Sequence, residues 1–387
     1  MQLLEAVANL VGLHDRAVHR LAEPLEQLLQ SLGPRLLHPS SPPRNRPRRR
    51  GLPILLRTHP ALPRRDRCSS VRRVTSLPPA RADDPQWVRR EPLAGDASTR
   101  RYFRLTDRHG ATAILAEYPA DAAATLARDL EVTAWLADRG LRLPAVLGQD
   151  LGAGRVVLED LGAADAEAVL RAAPPAERER LAARLLAPLE VLATQPTASL
   201  PGWNRPLDAV RLRWELAGFE LHFVRHRRGV APSPALVRFL DDLADEVASH
   251  PQRICHRDYH LNNLYLVATG EVAVIDAQDA LLGPDAYDAV SLLEERAMPE
   301  LLAEGERERL RVAWALRTAA ATGWERRWPR VRAQRALKVL GTFARLEAAG
   351  RTDYTHWMGS LAAQLAAAAD GLALPGAVVD LLLDWDG

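Results

Sequence analysis

His256-Arg257-Asp258-Tyr259-His260-Leu261-Asn262-Asn263, followed by Val274-Ile275-Asp276, decides the reading of this chain. An acid inside a tight loop is followed five residues on by an amide, and thirteen residues after that by a second acid. Together they supply one proton acceptor and two oxygen ligands for magnesium, a cation that takes few carboxylates and fills its other positions with water and phosphate oxygens. Residues 264–267 and 271–275 read as two short strands joined by a turn at Thr269-Gly270. If they pair antiparallel, Asn263 enters the first strand at the end where Asp276 leaves the second. Asp258 is then expected to be the base that aligns an attacking hydroxyl, with Asn263 and Asp276 as magnesium ligands. His256 is expected to brace the loop by hydrogen bonding. A lone His-x-Asp-x-x-x-x-Asn arises often by chance; the added strand, turn and strand ending in an acid make the combination specific for phosphoryl transfer.

Composition bounds the rest. The 387 residues, 47% of them hydrophobic, accommodate one large two-lobed domain or two modest ones. A formal net charge of +2 gives no case for specific nucleic-acid binding by the whole chain. Two cysteines, Cys68 and Cys255, make no disulfide framework, so a reducing cytoplasm is the simplest context, and Cys255 reads as a small buried thiol. The sequence shows no apolar run long enough to span a bilayer and no signal peptide. Lys338 is the only lysine.

Residues 1–82 read as an N-terminal extension, partly helical over 1–31 and then a disordered Arg/Pro-rich linker. Arg44, Arg46, Arg48, Arg49 and Arg50 crowd among prolines there, with no acid between Gln27 and Arg65. Binding to nucleic acid or an anionic membrane stands against a dispensable extension, and a charge run by itself favours the second. Residues 83–162 read as a nucleotide-binding lobe. It holds a hairpin of Tyr102-Phe103-Arg104-Leu105 with residues 111–118, a helix over 122–138 that carries Glu131, and a strand at Val156-Val157-Leu158-Glu159. Residues 163–387 read as helical apart from the 264–275 hairpin, with helices over 176–192, 206–226, 234–249, 305–321, 328–349 and 354–372. The fold class is therefore α+β and two-lobed, like a protein kinase: a small mixed β-sheet lobe, then a larger helical lobe carrying the catalytic loop and the acceptor site.

Within that frame Gly95-Asp96-Ala97-Ser98-Thr99 lies where a loop covers phosphates, its small residues letting backbone N–H groups and two hydroxyls approach the oxygens. Glu159, Asp160 and Leu161 lie where the lobes join, and are expected to meet the adenine edge of ATP.

From about residue 86 onward the chain resembles the aminoglycoside phosphotransferase and choline kinase superfamily, through the catalytic loop and Asp276. Finer motifs are similar to one branch. These are Gly95-Asp96-Ala97-Ser98-Thr99-Arg100-Arg101-Tyr102-Phe103-Arg104, His256-Arg257-Asp258-Tyr259-His260, Asp276-Ala277-Gln278-Asp279-Ala280 with Gly283-Pro284 and Tyr287-Asp288, and Gln334-Arg335-Ala336-Leu337-Lys338-Val339-Leu340-Gly341. That branch comprises the anomeric sugar kinases that phosphorylate the C1 hydroxyl of N-acetylmuramate and N-acetylglucosamine in bacterial cell-wall recycling. The resemblance implies ATP and Mg2+ as cofactors and an amino sugar as acceptor. It makes Asp288 a structural acid under the catalytic loop, and Gln278 and Asp279 either borders of the acceptor pocket or structural residues.

One departure stands out. Protein-kinase-like enzymes pair a lysine on the third strand with a helix glutamate to hold the α and β phosphates. Residues 111–118 contain no lysine, Glu131 lacks that partner, and Arg101 and Arg104 are the nearest substitutes, since a guanidinium clamps phosphate through paired hydrogen bonds. Two other readings stay open: a kinase for aminoglycosides, choline or another amino alcohol, and an inactive nucleotide-binding pseudokinase. The sequence leaves the oligomeric state open.

Overall fold

Period-two alternation builds the first sheet in the computed structural model of the chain, which describes residues 86–383 apart from 94–99, 120, 295–296, 321 and 353–354. Strands β1 (Trp87–Leu93), β2 (Arg101–Asp107) and β3 (Thr112–Glu117) are followed by helix α1 (Ala123–Asp138) and strands β4 (Val146–Asp150) and β5 (Arg155–Glu159). They form one sheet in the order β1-β2-β3-β5-β4, antiparallel throughout. Leu105, Ala113, Leu115 and Val157 close one face with Trp87 and Phe103. Ala116 and Val156 lie on the other face and pack with Leu126 and Leu130 of α1. Strand β4, Val-Leu-Gly-Gln-Asp, shows little alternation and sits at the sheet edge, which is why its sequence carries no strand signal.

The helical lobe begins with α2 (Ala166–Ala172), α3 (Pro175–Arg184), α4 (Ala187–Ala193), α5 (Ala209–Gly218) and α6 (Pro234–Ala248). Asp165, Asp208 and Ser233 cap α2, α5 and α6 by accepting from the backbone N–H three residues on. The single helix expected over 176–192 breaks between α3 and α4, because Pro188 has no N–H with which to continue the ladder. Helix α5 runs on as a π-helix, Phe219–Arg227.

Two small hairpin-like ladders carry the motif residues. Strand β6 (Gln252–Cys255) pairs with β9 (Leu281–Pro284), and between them β7 (Leu264–Leu266) pairs with β8 (Val272–Val274). The remaining helices are α7 (Tyr287–Glu294), α8 (Met298–Leu301), α9 (Glu304–Arg317), α10 (Trp324–Ala348), α11 (Thr355–Ala367), α12 (Ala369–Leu372) and α13 (Gly376–Leu383). Helix α10 starts earlier than its periodicity predicts and carries Pro329 inside it. The added turn is held by edge-on packing of Trp314, Trp324 and Trp328, with ring centroids 5.3 to 6.0 Å apart. The α+β, two-lobed expectation therefore holds. The extension read over 1–82 and the phosphate-loop residues Gly95, Asp96, Ala97, Ser98 and Thr99 lie outside the described residues. No helix among the described residues is long and apolar enough to cross a membrane.

A close approach locks α10 against the α5–π junction. A Cβ at Gly341 would stand 2.3 Å from the Phe219 backbone nitrogen and 2.4 Å from the Gly218 carbonyl carbon. Backbone on both sides leaves nothing flexible to move. A Cβ at Gly218 meets nothing within 4 Å, so only one glycine of this facing pair is required by sterics. Gly341→Ala is expected to cost about 3 kcal/mol or more, or to prevent folding. Gly218→Ala is expected to be neutral, or to stabilise by up to about 1 kcal/mol through helix propensity. Urea denaturation of the two variants checks the asymmetry.

Candidate active site

The catalytic loop is built from the backbone upward. It leaves β6 at Cys255, a buried thiol that packs against the backbone of Gly283. The next two N–H groups, of His256 and Arg257, donate to Asp288 Oδ2 and Oδ1 at 2.6 and 2.9 Å. His256 Nε2 bonds the Ile275 carbonyl at 2.8 Å, tying the loop to the exit of β8. Arg257 adopts φ 83°, a left-handed conformation that a side chain bears only where its surroundings over-determine it. Tyr259 is fully buried and donates its hydroxyl proton to the Leu185 carbonyl at 2.6 Å. His256 and Asp288 therefore both sit as braces under the loop.

The β7–β8 register sets Leu264 opposite Val274, and Ile275 N–H donates to the Asn263 carbonyl at 3.0 Å. Asn263 and Asp276 thus come to the same end of the hairpin, and both line one cleft of about 610 Å³. Asn263 Nδ2 donates to the Asp258 carbonyl at 2.9 Å, which leaves Oδ1 as the atom of that amide for a cation. Asp276 also stands in the left-handed region, at φ 58° and ψ 35°. It is set deep among protein groups, yet its side chain is 43% exposed because the cleft in front of it is open. Burial pushes its carboxyl up, and Arg100 and His256 only partly offset that; Asp258 adds to the rise by repulsion.

One carboxylate and one amide oxygen fit a magnesium ion that also takes phosphate and water oxygens. Among the described residues no cluster of three or more His, Cys, Asp or Glu gathers to hold a metal unaided. The donor set suits a nucleotide-bound cation rather than a closed structural site.

The cleft's ceiling and hinge follow from strand parity. Tyr102, Arg104, Ile114, Ala116, Val156 and Leu158 line it, all even-numbered positions on paired strands with matched register, and Tyr118, one residue past β3, continues that face. Arg101 falls on the opposite face, 75% exposed, where it joins Arg90 and Arg155 around Glu117. Arg101 and Arg104 are three residues apart on one strand and cannot share a face, so the paired expectation fails for Arg101. Arg104 does line the cleft but is engaged by Asp160 at 2.7 and 3.1 Å. Glu159 is held by Arg142 at 2.5 and 2.9 Å and accepts from Ala145 N–H at 3.0 Å. Both hinge acids titrate below their ordinary range: the Arg142 bond dominates at Glu159, and at Asp160 burial is overcome by Arg104 and the Gly162 N–H. The acid side chains at the hinge are thus spent on arginines. Leu161 also borders the cleft.

Arg100, one residue before β2, is the cation that sequence reasoning missed. Its NH2 lies 3.8 Å from Asp276 Oδ1, and its NH1 lies 3.3 Å from the Tyr118 hydroxyl and 3.7 Å from Asp129 Oδ2. Tyr118 in turn donates to Asp129 at 3.0 Å. Burial works against the Arg100 charge, but Tyr102, Tyr118 and Asp276 more than restore it. Burial and the Asp129 charge push the Tyr118 phenol up to about 12. Asp129 shares the inner face of α1 with Leu126 and Leu130 and is 7% exposed, whereas Glu131 faces solvent. Arg100 and Asp129 thus face each other at the cleft, one at the entry of β2 and the other on α1. The signal for Arg100 was the parity of Arg100, Tyr102 and Arg104.

Behind the loop Glu215, 2% exposed, collects charge. Arg257 NH2 lies 3.4 Å and Lys338 Nζ 3.6 Å from its Oε1, and Gln334 donates to Oε2 at 3.2 Å. Lys338 also reaches the Tyr287 hydroxyl at 3.3 Å. Arg335 donates to the Arg257 carbonyl at 3.3 Å. Burial would raise the Asp258 carboxyl, but Lys338, Arg257 and Arg335 outweigh it and hold it well below the usual carboxylate range. Asp279, 38% exposed, lies 3.6 Å from Arg257, and the Gln278 and Ala280 carbonyls accept from Asn204 Nδ2 at 3.0 Å each. Asp279 therefore borders this wall, while Gln278 lines the cleft.

An antiparallel sheet over a cleft, a helical lobe beneath it, and Asn263 and Asp276 at its floor next to the Asp258 loop are the features of a kinase-like phosphotransferase. Residues 89–333 match the model of the phosphotransferase enzyme family, and the chain belongs to that family. It is 32% identical over 270 residues to the N-acetylmuramate/N-acetylglucosamine kinase of Neisseria meningitidis, covering 65% of this chain and 77% of that one. It is 30% identical over 274 residues to the protein of the same name from Pseudomonas aeruginosa, covering 66% and 76%. In structure it is similar to a choline kinase from Streptococcus pneumoniae at a TM-score of 0.51 and 13% identity, over 78% of this chain and 95% of that one.

Glu215→Gln leaves Lys338 and Arg257 without their shared counter-charge in a buried site, and is expected to destabilise the fold by about 3 to 5 kcal/mol. Thermal and urea unfolding check this; a loss under about 1 kcal/mol would show that the cluster is not held by charge.

Proposed function

We propose that this chain transfers the γ-phosphoryl group of ATP, with Mg2+, to the anomeric C1 hydroxyl of an amino sugar, N-acetylmuramate or N-acetylglucosamine, as part of bacterial cell-wall sugar recycling. One observation carries the reading: Asn263 and Asp276 line one cleft floor, and Asn263 is bonded to the Asp258 carbonyl, in a chain about 30% identical to kinases of that name. A cytoplasmic setting accords with such a substrate.

Each step belongs to a residue of this chain. Asp258, kept ionised by Lys338 and Arg257, accepts the proton of the sugar hydroxyl as its oxygen attacks the γ-phosphorus. The bond from that phosphorus to the bridging oxygen breaks in line, and ADP leaves with the bond's electron pair. Asn263 Oδ1 and the Asp276 carboxylate hold Mg2+, which when bound neutralises charge on the phosphate oxygens. Arg100, steadied by Asp129 and Tyr118, aligns the phosphates in the role that a strand lysine has in protein kinases. The loop at Gly95, Asp96, Ala97, Ser98 and Thr99 covers the phosphates. The backbone at Glu159, Asp160 and Leu161 meets the adenine edge under Ile114, Val156 and Leu158.

The inactive pseudokinase reading loses its motive, because Arg100 supplies the charge that a missing lysine would leave absent. The aminoglycoside and choline readings require a cationic acceptor beside Arg257 and Lys338, which is electrostatically unfavourable.

Purified protein with ATP, Mg2+ and either sugar is expected to yield the sugar 1-phosphate, and chelation of the metal to abolish it. Asp258→Asn should lower kcat by about 100-fold or more. An Asp258→Asn enzyme with undiminished turnover would overturn the base assignment. Arg100→Ala is expected to raise the KM for ATP or lower kcat by about tenfold or more, and Arg101→Ala to change either by less than about threefold. Steady-state kinetics on the two neighbours separates them.

A further inference from the structure

Helix α1 ends in a Schellman closure. Gly140, at φ 91°, donates its N–H to the Ala137 carbonyl at 2.9 Å, and Leu141 donates to the Leu136 carbonyl at 3.2 Å. The turn carries residues 142–145 past the edge of β8, where the Arg142 carbonyl accepts the Val274 N–H at 2.8 Å. At its other end the same segment is cinched to the last residue of β5. Glu159 N–H donates to the Ala145 carbonyl at 2.8 Å, and Glu159 Oε2 accepts the Ala145 N–H at 3.0 Å. The Arg142 guanidinium closes the ring on Glu159 at 2.5 and 2.9 Å, and also donates to the Leu143 carbonyl. Leu143 and Pro144, held inside this ring, line the cleft beside Val146 and Leu158.

Arg142 thus joins two parts of the cleft that are far apart in the chain: its side chain grips the hinge, and its backbone grips the hairpin of Asp276. Val274 and Ile275 donate to opposite sides of their strand, Val274 to Arg142 and Ile275 to Asn263, and Asp276 is the next residue. One side therefore refers Asp276 to the catalytic loop, and the other refers it to the hinge. The Arg142 and Glu159 side chains are 27% and 32% exposed, so water screens the pair and its share in overall stability is small. What two parallel bonds between a guanidinium and a carboxylate supply here is a fixed geometry.

We propose that Arg142 is a positioning residue for phosphoryl transfer: its guanidinium on Glu159 and its carbonyl on Val274 hold the base-binding hinge and the Asp276 carboxylate in one frame. The proposal rests on the kinase reading and deepens it. A nucleotide seated by its base then finds Asp276 at the right distance for phosphate-bound Mg2+, with no further ordering of the hairpin. Once Glu159 is released, the 142–145 segment no longer ties the two ends together, and each binds without support from the other.

The test is the factor by which Mg2+ tightens binding of a non-hydrolysable ATP analogue, measured by calorimetry with the metal present and with it chelated. Arg142→Met leaves the carbonyl bond to Val274 in place and removes only the grip on the hinge; Glu159→Gln keeps the shape of the acid and removes its charge. Each is expected to lower the factor, and kcat/KM for ATP, by about tenfold, and the double variant to lower them no further, because the two residues act as one unit. Arg142→Lys is expected to recover part of the loss, since an ammonium keeps the charge without the planar fork. A factor within about twofold of the unaltered protein's in both single variants would overturn the proposal, and so would losses that multiply in the double variant. Affinity that falls equally with and without metal gives an unchanged factor, assigns the pair to base binding alone, and overturns it too. Each of these results leaves the kinase reading intact. Failure of the unaltered protein to bind the nucleotide or to phosphorylate either sugar would overturn the kinase reading, and the positioning role with it.

Discussion

The carboxylate of Asp288 accepts the backbone N–H groups of His256 and Arg257 at 2.6 and 2.9 Å, inside a fully packed lobe. Two adjacent amides on one rigid carboxylate fix the peptide plane before Asp258, and Arg257 takes a left-handed conformation to meet that demand. Burial pushes the Asp288 carboxyl up, opposed by His256 and by the two amides it serves. Everything else at the cleft floor is referred to this anchor. His256 carries the constraint to Ile275, Ile275 passes it to Asn263 through the β7–β8 ladder, and Asp276 follows directly. Two polar side chains on a short hairpin are only as well placed as the loop to which the hairpin is tied.

Charge around Asp258 is arranged in layers. Glu215 lies deepest and is shared by Lys338 and Arg257; those two cations in turn hold Asp258 ionised. Without Glu215 the cations would be costly to bury, and without the cations Asp258 would gain protons as burial raised it. The only lysine of the chain is used here, in the helical lobe, and the sheet uses arginine for every cation near the cleft. Protein kinases serve the phosphates with a lysine on the third strand; here Arg100 stands beside Asp129 at the entry of β2. The guanidinium is planar and longer, and it approaches Asp276 from the strand's entry rather than from its middle.

Much of this was legible from residue order. The hairpin that unites Asn263 with Asp276, the sheet followed by helices, and the bracing of the loop by His256 all follow from local patterns: alternation, a Gly turn, and an acid and amide at fixed spacing. Strand parity already separated Arg100 and Arg104 from Arg101, since side chains an odd number of residues apart leave a strand on opposite faces. What lacked a local signal was β4, an edge strand whose Gly148 and polar residues show little alternation, and the break at Pro188 between two helices that read as one.

By itself the sequence determined which chemistry the chain carries, because the spacing of Asp258, Asn263 and Asp276 is set by one loop and one hairpin, both short enough for nearest-neighbour rules to hold. Only the tertiary structure decided which charges surround that chemistry. Glu215 and Lys338 come from helices, 43 residues before and 80 residues after Asp258 in the chain. No periodicity encodes such meetings; they exist because Gly341 lets α10 press against the α5–π junction, bringing two distant helix faces to one wall.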